Sequence, residues 1–237
     1  TGGMGGIGTE IVRSLVKSGH KVAATCIAPE FAKKDEWIAQ FDGAEVDVFQ
    51  LEITDYDECG KVVADIEAKM GPISVLVNNA GITNDATFKK MSRAKWDSVI
   101  DINLSGVFNI SQHVFPKMCD QKFGRIVNIS SVNGRKGQFG QANYAAAKAG
   151  MHGLTMTLAQ EGARKGVTVN TVSPGYVNTS MMQAIPEDIL KSIIATIPMA
   201  RLGEPEEIAE LVAYLASDVA AFMTGANLDI NGGLLIH

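Results

Sequence analysis

A chain of 237 residues that is 46% hydrophobic and 20% charged has the apolar content for one sizeable core and lies outside the disordered range. Its formal charge of −5, without a basic block, excludes the footprint of a nucleic-acid binder, and no apolar run is long enough to span a bilayer. Cys26, Cys59 and Cys119 form no CxxC pair and no basic-then-apolar leader is present, which points to reduced thiols, a cytoplasmic location and a small-molecule partner.

In chain order, helical periodicity over 6–18 leads to an apolar strand over 21–26, a helix over 35–41 and a strand over 45–50. A helix over 55–69, a strand over 73–77, a helix over 95–119 and a strand over 125–130 follow. The pattern continues with a helix over 143–164, a strand over 168–173, a helix over 205–216 and a strand over 227–230. Such alternation predicts an α/β fold with a doubly wound parallel sheet of the Rossmann type. One domain is expected, with a dinucleotide-binding half over 1–130 and a catalytic and substrate half over 131–237. A glycine-rich phosphate turn should follow a strand, yet Thr1 opens on the turn itself. A first strand is therefore expected to be absent, with about six further residues upstream.

Gly2, Gly6 and Gly8 stand in a Gly-x-x-x-Gly-x-Gly pattern directly before the first helix. Missing side chains let the backbone approach a pyrophosphate, and the helix N-terminus offers free N–H groups to the anion. Asn78-Asn79-Ala80-Gly81 closes the third of these strands at the carboxyl edge, where open α/β sheets bind ligands. Its amides can tie strand ends together while Ala80 and Gly81 leave room for the adenine-ribose face. Glu52 and Ile53, after the preceding strand, sit where an adenine ring could be edged. At the end of strand 21–26, Cys26 and Ile27 are not acidic, and Lys33 and Lys34 follow shortly, so a ribose 2′-phosphate can be neutralised. NADP(H) is the expected cofactor and NAD(H) the alternative; Glu30 nearby works against the former.

Ser131, Tyr144 and Lys148 follow the spacing Ser-x12-Tyr-x3-Lys, with the serine at a strand end and the other two on the next helix. Four residues make about one helical turn, so the ammonium shares a face with the phenol and should make it more acidic. In ketone reduction Tyr144 would protonate the carbonyl oxygen while the Ser131 hydroxyl hydrogen-bonds it. Lys148 would bind the ribose hydroxyls and stabilise the phenolate. Asn103 is a candidate fourth member, acting on Lys148 through a backbone carbonyl and water.

These motifs resemble the short-chain dehydrogenase/reductase family along essentially the whole chain. Within it, Thr1–Gly8, Asn128–Tyr144 and Ser173-Pro174-Gly175-Tyr176 are similar to the acetoacetyl-CoA reductases, which make (R)-3-hydroxybutyryl-CoA for polyhydroxyalkanoate synthesis. The resemblance implies Ser131, Tyr144 and Lys148 as catalytic, Asn103 as their support and Thr179 as a contact to the nicotinamide carboxamide. It also implies cofactor contacts at Ile7, Pro174, Gly175 and Val177. Asp85, Lys90, Gln138, Phe139, Gln141 and Tyr176, together with Ser131, would line the path of an acyl-CoA thioester. A homotetramer is implied by the helices over 95–119 and 143–164. Two rivals stand beside this reading: a 3-oxoacyl-ACP reductase with the same chemistry, and a nucleotide-binding sensor or scaffold without turnover.

Overall fold

The computed structural model describes residues 1–236; residue 237, the last of the expected catalytic half, lies outside them. The chain runs α1 (Gly6–Lys17), β1 (Val22–Cys26), α2 (Ala28–Phe31), α3 (Lys34–Ile38), β2 (Val46–Gln50), α4 (Tyr56–Met70), β3 (Val75–Asn78) and α5 (Arg93–Ile100). A π-helical turn, Asp101–Ser105, leads into α6 (Gly106–Gln121), then β4 (Gly124–Ile129), α7 (Asn133–Lys136), α8 (Ala142–Gly162) and β5 (Val167–Pro174). The last elements are α9 (Ser180–Gln183), α10 (Glu187–Ala195), α11 (Pro205–Ala216) and β6 (Asn227–Ile230).

All strand pairings are parallel, in the order β3-β4-β5-β6 for four strands, with β1 and β2 paired separately. No strand of the described residues lies between β1 and β3. A cavity of about 330 Å³ separates them, lined among others by Val12, Val22, Ala24, Val75, Val77 and Ile110. Residues 1–3 cross its carboxyl end: the Thr1 nitrogen donates to Val77 O at 2.8 Å and Gly3 N to Thr25 O at 3.0 Å.

Helices cover both faces. On one, Ile11, Val12 and Leu15 of α1 and Ile208, Val212 and Leu215 of α11 pack on Val127 and Val172. On the other, Val62, Val63 and Ile66 of α4 and Ile110, Val114 and Met118 of α6 cover Leu76, Ile126 and Val169. Every residue of β4 and β5 is buried, the polar ones Arg125, Asn128, Thr168, Asn170, Thr171 and Ser173 included, and Val and Ile supply the apolar part of each strand. Each fully buried aliphatic side chain contributes about 1.5–3 kcal/mol.

Caps set the helix starts. The Asp55 side chain accepts from Glu58 N at 2.9 Å to begin α4, and Ser92 accepts from Lys95 N at 3.2 Å to begin α5. Glu204 and Glu207 form a capping box at α11, with Pro205 in the first turn. The helix expected over 95–119 is interrupted: α5 and α6 are joined by the π turn that carries Asn103, a local widening of a kind often found at functional sites.

Candidate active site

The carboxyl ends of β3, β4 and β5 are locked from below by buried polar side chains. Asn78 pairs in register with Asn128, and its Nδ2 donates to Asn128 Oδ1 at 2.8 Å and to Ser111 Oγ at 3.2 Å. Asn128 Nδ2 donates to Thr155 Oγ1 of α8 at 2.8 Å, and Thr171 of β5 donates to the same oxygen at 2.8 Å. Buried networks of this kind hold strands and helices in one register, here with Asn78 Oδ1 left without a partner. The expectation that the paired asparagines tie strand ends together therefore holds at Asn78.

Asn79 ties the glycine turn to β3. Its Nδ2 donates to Thr1 O and Gly2 O at 3.2 and 3.0 Å, and Asn79 N and Ala80 N both donate to Thr1 Oγ1 at 3.1 Å. Gly2 sits at φ +60°, and a Cβ at Gly8 would run into Gly2 O, so neither position accepts a side chain. No side chain caps α1 and its first turn carries no acid, which leaves its amides free for an anion. A Cβ on Gly6 would reach 3.3 Å from Thr179 Cγ2, so the 174–179 segment closes against this turn. There Pro174 O accepts from Val132 N at 2.8 Å, Gly175 N donates to Ile230 O at 2.9 Å and Val177 is buried. Ile7 packs partly buried against the core below.

Ser131, Tyr144 and Lys148 come together as the spacing predicts. Ser131 follows β4, and its hydroxyl stands near enough to the Tyr144 phenol to favour the ionised form. Lys148 Nζ lies 5.7 Å from the Tyr144 ring centroid and donates to Ile129 O at 2.7 Å. Burial pushes the Lys148 ammonium down to about 8. The phenol departs from the sequence-based expectation: burial raises its pKa, the nearby Ser131 hydroxyl opposes the rise and the Asp85 charge adds to it. Desolvation is the largest cause and the Lys148 ammonium is not among the causes, its Nζ being turned to the Ile129 carbonyl. A raised phenol holds its proton at neutral pH, the state a proton donor needs.

Asn103 is fully buried, and its side chain spans Ile82, accepting from its N–H and donating to its carbonyl, each at 2.8 Å. A Cβ on Gly81 would lie 3.3 Å from Asn103 Oδ1 and 3.5 Å from Lys148 Nζ, so all three meet under the Asn-Asn-Ala-Gly segment.

The remaining positions divide. Gln141 Nε2 donates to Asp85 Oδ2 at 2.9 Å, and Ala86 N to Gly140 O at 2.9 Å, which brings these two loops together beside Tyr144. Gln138 accepts from Lys136 Nζ at 2.9 Å, Phe139 is 86% exposed, Lys90 is exposed and Tyr176 is partly buried. The Ile53 side chain is 7% exposed, turned into the core against Gly106, so an adenine edge there would meet its backbone. Glu52 is exposed, but its carboxylate already accepts from Thr54 N and Oγ1. Lys33 is exposed, and Lys34 Nζ stands 4.4 Å from the Phe31 ring centroid. Trp37, one turn after Lys33, donates from Nε1 to Thr9 Oγ1 at 3.0 Å and so pins α3 against the first turn of α1.

A family model described as enoyl-(acyl carrier protein) reductase matches residues 2–235. The chain is similar to the acetoacetyl-CoA reductases of Allochromatium vinosum, at 54% identity over 100% of this chain and 97% of that one, and of Cupriavidus necator, at 52% over 99% and 96%. The chain belongs to the short-chain dehydrogenase/reductase family. It is also similar to the 3-oxoacyl-[acyl-carrier-protein] reductase FabG of Thermotoga maritima, at 43% identity over 100% of this chain and 96% of that one. Membership makes the chain an oxidoreductase and implies a nicotinamide cofactor. The uncapped α1 N-terminus and the glycine turn, where side chains cannot stand, fit the diphosphate of such a group.

Several site residues escaped the sequence. Asn133 N donates to Ser131 Oγ at 3.1 Å. Asn143 donates from Nδ2 to Asn84 O and Lys95 O at 3.1 and 2.9 Å and accepts from Tyr144 N, which anchors the start of α8. Ser130 Oγ donates to Lys148 O at 2.9 Å and meets His152 Nε2 at 2.8 Å. Asn133 and Asn143 flank Ser131 and Tyr144 in the chain, and that adjacency was the only available signal.

Proposed function

We propose that this chain reduces acetoacetyl-CoA to (R)-3-hydroxybutyryl-CoA, with NADPH as the reductant. The observation that carries the reading is the convergence of Ser131, Tyr144 and Lys148 at the carboxyl end of β4, with Lys148 Nζ 5.7 Å from the Tyr144 ring centroid. The substrate carbonyl oxygen is held by the Ser131 hydroxyl and takes its proton from the Tyr144 phenol. When bound, the reduced nicotinamide supplies the hydride for the carbonyl carbon. Lys148 orients the cofactor ribose and stabilises the phenolate left behind. Asn103, beside Lys148 at Gly81, supports that lysine. Gly2, Gly6, Ile7 and Gly8, with Asn79, Ala80, Gly81 and the 174–179 segment through Thr179, hold the dinucleotide.

The preference for coenzyme A over a carrier protein rests on the 54% and 52% identities against 43%. Exposed Lys90 and Phe139, with Tyr176, Gln138, Gln141 and Asp85, suit the phosphate, acyl and pantetheine parts of a thioester. The NADP assignment rests on charge: Ile27 is 51% exposed where an acid would repel a 2′-phosphate, and Lys33 and Lys34 follow it. A homotetramer is proposed on the half-exposed apolar residues Phe108 of α6 and Met156 of α8, in a cytoplasmic protein. Among the described residues, no helix is long and apolar enough to cross a membrane.

A kinetic matrix tests the assignment, with NADPH and NADH each measured against acetoacetyl-CoA and acetoacetyl-ACP. The expected result is a kcat/KM for NADPH with acetoacetyl-CoA at least about tenfold above the other combinations, equivalent to ~1.4 kcal/mol. A preference for the carrier-protein thioester overturns the substrate assignment, and no turnover of either overturns the reductase reading. Light scattering that shows a monomer overturns the tetramer.

A further inference from the structure

The hydrogen bonds between the two loops beside Tyr144 have a direction. An ionised carboxylate only accepts, so the end of Gln141 that faces Asp85 must be its NH₂ group, as the 2.9 Å contact from Nε2 to Oδ2 has it. Gln141 Oε1 then points the other way and accepts from Asn133 Nδ2 at 3.0 Å. That contact in turn decides which end of the Asn133 amide faces Gln141. It leaves Asn133 Oδ1 buried with no partner, on a residue only 8% exposed. A buried, unpartnered carbonyl is unfavourable, and here it follows from the direction the chain of bonds imposes.

The chain ends on the catalytic serine. Asn133 N donates to Ser131 Oγ at 3.1 Å, so one lone pair of that oxygen is occupied by a backbone donor. The hydroxyl hydrogen is then free to turn toward Tyr144 and the carbonyl oxygen between them, which makes Ser131 a donor in the reaction.

We propose that Asn133 is a positioning residue: its side chain, tied through Gln141 to the Asp85 carboxylate, fixes the segment whose backbone N–H donates to Ser131 Oγ and so holds the serine hydroxyl as a donor to the substrate carbonyl. The proposal rests on the reductase reading above. Gln141 and Asp85 then serve the site by orienting it, in addition to any contact with the thioester. Burial is the main reason the Tyr144 pKa is raised, and the Asp85 charge adds to it.

Reversing the chain tests it. Asn133→Asp places an acceptor against Gln141 Oε1 and breaks the chain. Asp85→Asn alone removes the carboxylate that sets its direction. In the double variant Asp85→Asn with Asn133→Asp the chain can run backwards, with position 133 accepting from Gln141 Nε2 and Gln141 Oε1 accepting from position 85. The expected result is a loss of about tenfold in kcat for Asn133→Asp with the KM for NADPH unchanged, and recovery of most of that loss in the double variant. Losses that multiply in the double variant overturn the proposal. Asn133→Ala, which keeps the backbone donor but has no group to pair with either end of Gln141, should lose activity and gain nothing from Asp85→Asn.

The same four proteins, wild type, both single variants and the double, are compared by thermal denaturation, which needs no turnover. The double variant should be more stable than the sum of the single losses allows, and strict additivity there also overturns the chain. Wild-type protein without reductase activity refutes the function, whereas active wild type without rescue refutes only the role of Asn133.

Discussion

Lys148 Nζ donates to the carbonyl of Ile129 at 2.7 Å, an ammonium from α8 reaching under the strand that delivers Ser131. The bond fixes helix to strand directly beneath the reacting groups, and it places a cation where burial holds its pKa near 8.

That burial makes stability depend on pH. Between about 8 and the ordinary lysine value of 10.5 the unfolded chain holds a proton that the fold has released, so stability rises with pH across that window. Below it the full penalty is present, and above it none. Relative to Lys148→Met, the wild type should gain about 3 kcal/mol between pH 8 and the top of the window, measured by denaturant unfolding of both proteins. Parallel pH profiles for the two would show that Lys148 is not desolvated.

The glycine turn gives a contrast between neighbours. A Cβ at Gly8 collides with Gly2 O, whereas one at Gly5 stands 3.6 Å from the same atom. Gly8→Ala should therefore displace the turn, cost about 1–3 kcal/mol in stability and weaken dinucleotide binding, while Gly5→Ala is tolerated. Calorimetric titration with NADPH reads both, and equal affinities would contradict the placement of the diphosphate.

Charge reversal at Lys33 and Lys34 tests the cofactor choice. Each exposed pair contributes about 0.2–1 kcal/mol, so the double change to glutamate should lower the NADPH-to-NADH ratio of kcat/KM about tenfold. An unchanged ratio would move the 2′-phosphate contact elsewhere.

Much of this architecture was legible because parallel strands buried on both faces are short segments rich in Val, Ile or Leu and closed by turn or polar residues. β4 and β5 were recognisable for that reason, and β6 was recovered at its expected bounds of 227–230. The π turn at Asp101–Ser105 was hidden, since widening a helix by one residue per turn changes no residue type. α10 was missed although Ile189, Leu190, Ile193 and Ile194 recur at helical spacing; none of its residues is buried. In the site, Ser131, Tyr144 and Lys148 were readable from spacing, because one helical turn is a local constraint. Asn133 and Asn143 were not. Their partners at Gln141, Asn84 and Lys95 are set by loop packing, which spacing along the chain does not encode. The inward turn of the Ile53 side chain was not legible, because a strand end predicts proximity and leaves open which way the side chain turns.

The central claim is that the Tyr144 phenol delivers the proton, and Tyr144→Phe tests it most directly, with NADPH oxidation driven by acetoacetyl-CoA as the readout. The account predicts a loss of about 10² to 10⁴-fold in kcat with NADPH affinity retained. Turnover at the wild-type rate in that variant would contradict it.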